Sequence, residues 1–219
     1  MGYPVGMKPS MEIEPGSLDG SYRRTRQYPE DLPGPQRAGI GWAGGDKWQP
    51  GAASGGWLLV LGSRAILPTL LRMTGRLAES GPVRVVDCGN MFDIFLATRA
   101  TTAGLDVYDR IKVCNAYTCQ ELLTVLESLP AGPAPFVILD LLRTFLYTNV
   151  AFEERKRLLA LCLAHIDRLE QGSGGLVSVH PPGVLCQAES ELLEMVTKAA
   201  RDIYRVEMAA SHSLMERLS

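Results

Sequence analysis

The sequence predicts an α/β fold in which a mostly parallel β-sheet is flanked by helices. From residue 57 onward, short runs rich in β-branched residues and leucine alternate with longer segments whose apolar residues follow helical spacing. The apolar runs are nearly continuous rather than alternating, which is typical of strands buried on both faces of a parallel sheet. The connecting segments are long enough for right-handed βαβ crossovers.

Six strands and five helices follow from this pattern. The predicted strands cover residues 57–61, 83–87, 111–114, 136–141, 176–180 and 203–207. The predicted helices cover residues 68–80, 91–103, 119–128, 152–171 and 187–200.

The chain divides by composition into a tail and one domain. Residues 1–55 contain half of the chain's glycines and prolines and show no apolar periodicity, so they cannot bury enough surface to offset the entropy of ordering. We therefore expect residues 1–55 to form a disordered, Gly/Pro-rich tail. A length of 219 residues leaves room for a single domain over residues 56–219.

Charge and cysteine content exclude several classes of protein. The formal net charge of −2 provides no overall attraction for nucleic acid. The five cysteines include no C-x-x-C pair, which argues against a disulfide framework or a zinc knuckle. The longest apolar runs are far shorter than the roughly 20 residues of a membrane-spanning helix. These observations predict a cytoplasmic protein that does not bind membranes.

The junction after the first strand has the length of a phosphate-binding loop. Set against the pattern G-x-x-x-x-G-K-[ST], Gly62 takes the first position and Thr69 the last, with Ser63 and Arg64 inside the loop. Thr69 is a candidate magnesium ligand, although a structural role near a helix start is the favoured interpretation. Arg64 is a candidate phosphate-binding cation or an ordinary solvated arginine.

The two remaining positions of this loop depart from the pattern. Leu67 stands where the second glycine is expected, and Pro68 stands where the lysine is expected. That lysine contacts the β- and γ-phosphates, and the glycine lets backbone amides close around them. Proline has neither a charge nor an N–H, but it suits the first turn of a helix. The departures therefore preserve the fold while removing phosphate contacts.

Two further candidates lie at predicted strand ends. Asp140 follows four apolar residues, and a carboxylate at the end of a buried strand is costly unless it is paired, so the position suits a magnesium-bound water or a cap on the next turn. His180 precedes Pro181-Pro182 and is either a sensor of nucleotide state or a neutral histidine that is hydrogen-bonded at a strand terminus.

Taken in order, these pieces resemble the RecA recombinase superfamily, including its KaiC-like ATPases, over about residues 57–182. In that family a strand after the P-loop ends in Asp-Thr-Glu-Gly, an aromatic residue follows, and a helix leads to Gly-Leu. This chain has Asp87-Cys88-Gly89-Asn90, then Phe92, then Gly104-Leu105. It also has Ala116-Tyr117-Thr118 for the Ala-Phe-Thr-like segment, Asp140 for the Walker B residue and His180 for the sensor.

The resemblance implies a RecA-like P-loop NTPase core that has lost its chemistry. The family's water-orienting Glu would lie at Gly89 and its P-loop Lys at Pro68. The expected function is a non-catalytic accessory or regulatory subunit, a pseudo-ATPase, that acts through a protein partner such as another RecA-like subunit. DNA recombination or repair is the process that the resemblance implies.

Other interpretations remain open from the sequence. A residual nucleotide binder, or an ATPase completed by another subunit, would hold ATP and magnesium at Thr69 and Asp140. Strong autonomous DNA binding is not expected, because the segment after the Walker B strand carries only Arg143 as a cation. The short apolar part of that segment, residues 143–147, either faces a partner or packs in the core. An S-adenosylmethionine site at Asp87 is disfavoured because no second or third glycine follows.

Overall fold

A computed structural model of the protein describes residues 56–99, 101, 106–146 and 148–206. The predicted tail of residues 1–55 therefore lies outside the described residues, as do Gly104, Leu105 and Tyr147.

Six parallel strands form one sheet, in the order β3-β2-β4-β5-β1-β6. The strands are β1 (Trp57–Gly62), β2 (Val83–Asp87), β3 (Ile111–Asn115), β4 (Phe136–Leu139), β5 (Gly175–Val179) and β6 (Asp202–Val206). The predicted α/β class is confirmed, and the sheet is parallel throughout rather than mostly so. Strands β2, β4 and β5 are buried along their whole length, which agrees with their mainly apolar sequences.

The helices of the described chain cover both faces of the sheet. They are α1 (Leu67–Ser80), α2 (Ile94–Thr98), α3 (Asp106–Arg110), α4 (Cys119–Ser128), α5 (Arg143–Leu146), α6 (Phe152–Glu170) and α7 (Gln187–Ala199), with a 3-10 turn at Arg64–Ile66. Buried side chains of α1, α2 and α3 form one core cluster with one face of the sheet. Those of α4, α5, α6 and α7 form a second cluster with the other face.

The segment predicted as one helix over residues 91–103 is organised differently. Helix α2 begins only at Ile94, because the backbone amides of Met91 and Phe92 donate to the carboxylate of Asp87 instead of continuing a helix. Asp93 then caps α2 by accepting hydrogen bonds from the amides of residues 95 and 96. The prediction of a continuous helix from residue 91 is therefore wrong.

The apolar segment after β4 packs inward. It forms the short helix α5, in which Thr144 and Phe145 are fully buried. Phe145 belongs to the cluster shared with α6. Of the two expectations for this segment, core packing is confirmed for these residues.

The order of the strands creates three places where neighbouring strands lead to helices on opposite faces. The chain leaves β1 and β2 toward α1 to α3, and it leaves β3, β4 and β5 toward α4 to α7. Because β1 lies beside β5, and β2 lies between β3 and β4, a crevice is expected at the carboxyl ends of these three pairs. Such switch points are where open parallel sheets bind ligands.

Close packing of α1 against α2 depends on one glycine. A Cβ added to Gly75 would lie 1.8 Å from the carbonyl oxygen of Ala97, so Gly75→Ala must push the two helices apart. We expect a loss of about 1–3 kcal/mol in the free energy of unfolding, which exceeds the helix-propensity gain of up to about 1 kcal/mol. Urea denaturation measures the change.

Gly132→Ala provides the matched control, since a Cβ there meets nothing within 4 Å. It should alter stability by no more than about 0.5 kcal/mol. Equal effects of the two substitutions would show that the helices do not approach each other as closely as described.

Candidate functional site

The candidate site lies at the carboxyl ends of β1, β4 and β5, where three predicted site residues come together. Arg64, Asp140 and His180 are joined by direct contacts there, although they are far apart in sequence. Gly62 takes part through its backbone carbonyl, and Ser63 through the turn that it begins. No contact between Thr69 and Asp140 is present.

Asp140 is the centre of these contacts. It directly follows β4, is buried, and adopts a left-handed backbone conformation with φ of 54°, which aspartate tolerates better than most residues. This conformation ends β4 one residue before the aspartate. Ser178 on β5 stabilises the bend, because its hydroxyl accepts the backbone N–H of Asp140 at 3.0 Å.

The carboxylate of Asp140 is engaged by groups of the chain itself. Its Oδ1 accepts the backbone N–H of His180 at 3.1 Å, and its Oδ2 lies 3.4 Å from Nη2 of Arg64. The Arg64 side chain is half exposed whereas the Asp140 side chain is almost completely buried, so the ion pair is weak and open to solvent on one side. The Arg64 guanidinium thus lies beside the Asp140 carboxylate, which the sequence analysis considered as a magnesium site.

His180 connects β5 to the end of β1. Its Nδ1 lies 3.0 Å from the carbonyl oxygen of Gly62. Because a carbonyl only accepts, Nδ1 carries the hydrogen and donates it to Gly62. Nε2 is buried and has no partner among the described residues. The ring therefore acts as a structural clamp between two strands that are neighbours in the sheet.

The loop after β1 is too tightly folded to surround a phosphate. Residues Arg64–Ile66 form a 3-10 turn in which the amides of residues 65, 66 and 67 bond to the Ser63 hydroxyl, the Ser63 carbonyl and the Arg64 carbonyl. Pro68, next along the chain, has no N–H. Ile66 is buried in the core and holds the turn in place. Four consecutive positions thus offer no free amide to an anion.

The Thr69 hydroxyl also has a hydrogen-bond partner within the chain. Thr69 lies in the first turn of α1, half-buried, and its hydroxyl accepts a hydrogen bond from Nη2 of Arg72 at 3.1 Å. ATP and magnesium therefore fit these residues poorly, since the amides, the hydroxyl and the carboxylate all have partners within the chain. Within the described ranges no group of three His, Cys, Asp or Glu side chains is placed to hold a metal ion.

At the switch point between β2 and β4, the Asp87 side chain binds the loop that follows β2. Its buried carboxylate accepts three backbone hydrogen bonds, from Gly89, Met91 and Phe92. This fixes the loop between β2 and α2. Gly89, where the family's water-orienting Glu would lie, contributes only its amide. Sequence reasoning did not foresee this role of Asp87, although an aspartate two residues before a glycine is a known turn signal.

Cys88 is buried near both Asp87 and Asp140, and its thiol is unreactive. Burial raises the pKa of its thiol well above the ordinary range, and the nearby Asp87 and Asp140 carboxylates raise this pKa further. A neutral thiol is a poor nucleophile. Of the five cysteines, Cys88, Cys119 and Cys162 are buried, whereas Cys114 and Cys186 are exposed.

A scan against protein-family models gives no match to this chain, and no curated protein shows significant similarity to it. Among the residues that the structure describes, no helix combines the length and the apolar character needed to cross a bilayer.

The role of Asp140 can be tested through stability. Asp140→Ala should lower the free energy of unfolding by about 1–3 kcal/mol, because it leaves the buried amide of His180 unpaired and places alanine at positive φ. Asp140→Asn keeps an acceptor and tolerates that backbone, so it should cost less. Arg64→Ala should cost no more than about 1 kcal/mol. Denaturant titration gives all three values, and an equal loss for Asp140→Asn and Asp140→Ala would contradict the structural role.

The buried thiols predict a loss of stability in alkali. Burial raises the pKa of Cys162 to about 12, whereas a thiol in the unfolded chain ionises near pH 8.5. The unfolded state therefore releases a proton that the folded state retains, and stability falls as the pH rises through this window. From pH 8 to pH 10 this thiol should account for roughly 2 kcal/mol. Denaturant titrations of the unaltered chain and of Cys162→Ala measure it, and equal pH slopes for the two proteins would contradict it.

Proposed function

We propose that this chain is a non-catalytic RecA-like module, a pseudo-ATPase that serves as an accessory or regulatory subunit through a protein partner. The observation that carries the proposal is the engagement of Asp140 by the His180 amide and by Arg64. At the end of a parallel strand beside a switch point, a carboxylate suits a metal-bound water. In this chain the His180 amide and the Arg64 guanidinium contact that carboxylate instead.

The order of the elements supports the RecA-like part of the proposal. A strand and a loop of P-loop length come first, a strand ending in Asp87 follows, and two strands that are directly followed by Asp140 and His180 come later. All of these strands belong to one parallel sheet, and their carboxyl ends lie on the same edge. The association with recombination or repair is a proposal that rests on this resemblance alone.

The lack of catalysis follows from the chemistry that phosphoryl transfer needs. A cation on the transferring group and a carboxylate that orients water supply most of the rate enhancement at such sites. The corresponding positions are Pro68 and Gly89, which carry neither group. A Cβ at Gly89 would lie 3.0 Å from the Met91 side chain, so a longer residue there would require that side chain to move.

The alternative function is residual nucleotide binding, or an ATPase site completed by another subunit. The observation that favours it is Arg64, whose side chain is 51% exposed and lies at the mouth of the site. Its contact with Asp140 at 3.4 Å is long for a charged hydrogen bond, so a nucleotide that attracted Arg64 outward would free the carboxylate at small cost.

Calorimetric titration with magnesium-ATP decides between these functions. We expect no heat of binding at high micromolar nucleotide for the unaltered chain, because the amides of residues 65 to 67 bond within the turn and Pro68 has no N–H. Arg64→Ala opens Asp140 to solvent and should still show no binding. Saturable heat in the unaltered chain that disappears in Asp140→Asn would contradict the pseudo-ATPase proposal and support the alternative.

Arg72→Ala is the matched control, since this arginine lies beside Thr69 and makes no contact with Asp140. If nucleotide binds through Thr69, this variant should alter the heat of binding. If the chain does not bind nucleotide, the unaltered chain and all three variants should give the same flat titration.

A further inference from the structure

We draw no further inference here: the strongest candidate, the buried Nε2 atom of His180 at the carboxyl ends of β1 and β5, belongs to the site already described, and nothing among the described residues shows which ligand would contact it.

Discussion

A buried carboxylate that must be satisfied determines the organisation of the carboxyl edge of the sheet. Asp140 is almost fully buried at the end of a central strand, where an unpaired charge would cost several kcal/mol. The chain meets this requirement with the His180 amide and the Arg64 guanidinium. Both partners come from segments that follow neighbouring strands, and His180 in turn binds the carbonyl of Gly62. Satisfying one aspartate therefore connects β4, β5 and β1 at their carboxyl ends.

This solution has a chemical consequence. Several groups that could otherwise bind a ligand make contacts within the chain, namely the amides of residues 65 to 67, the Thr69 hydroxyl and the Asp140 carboxylate. At the switch point between β2 and β4, the Asp87 carboxylate likewise accepts hydrogen bonds from backbone amides of the loop that follows β2. At both of these positions the aspartate at the strand end is therefore engaged by the chain itself.

The strands were predictable from the sequence, but their ends and the site contacts were not. Unbroken apolar runs identify buried parallel strands, yet periodicity gives no reason to end β4 before Asp140 or β5 before His180, because those ends depend on a left-handed bend and a long-range hydrogen bond. The start of α2 was missed for the same reason, since Asp87 takes amides that a helix would use. Position at strand ends identified Arg64 as a candidate, but its pairing with Asp140 required the sheet order.

The most direct test of the closed site is an NMR titration of the labelled chain with Mn²⁺, with and without a non-hydrolysable ATP analogue. A paramagnetic ion bound at Asp140 would broaden the amide signal of His180, whose N–H donates directly to that carboxylate. We expect no selective broadening at equimolar Mn²⁺, because Arg64 and the His180 amide already engage Asp140. Selective loss of the His180 and Thr69 signals would contradict this account and show that the site still holds a metal.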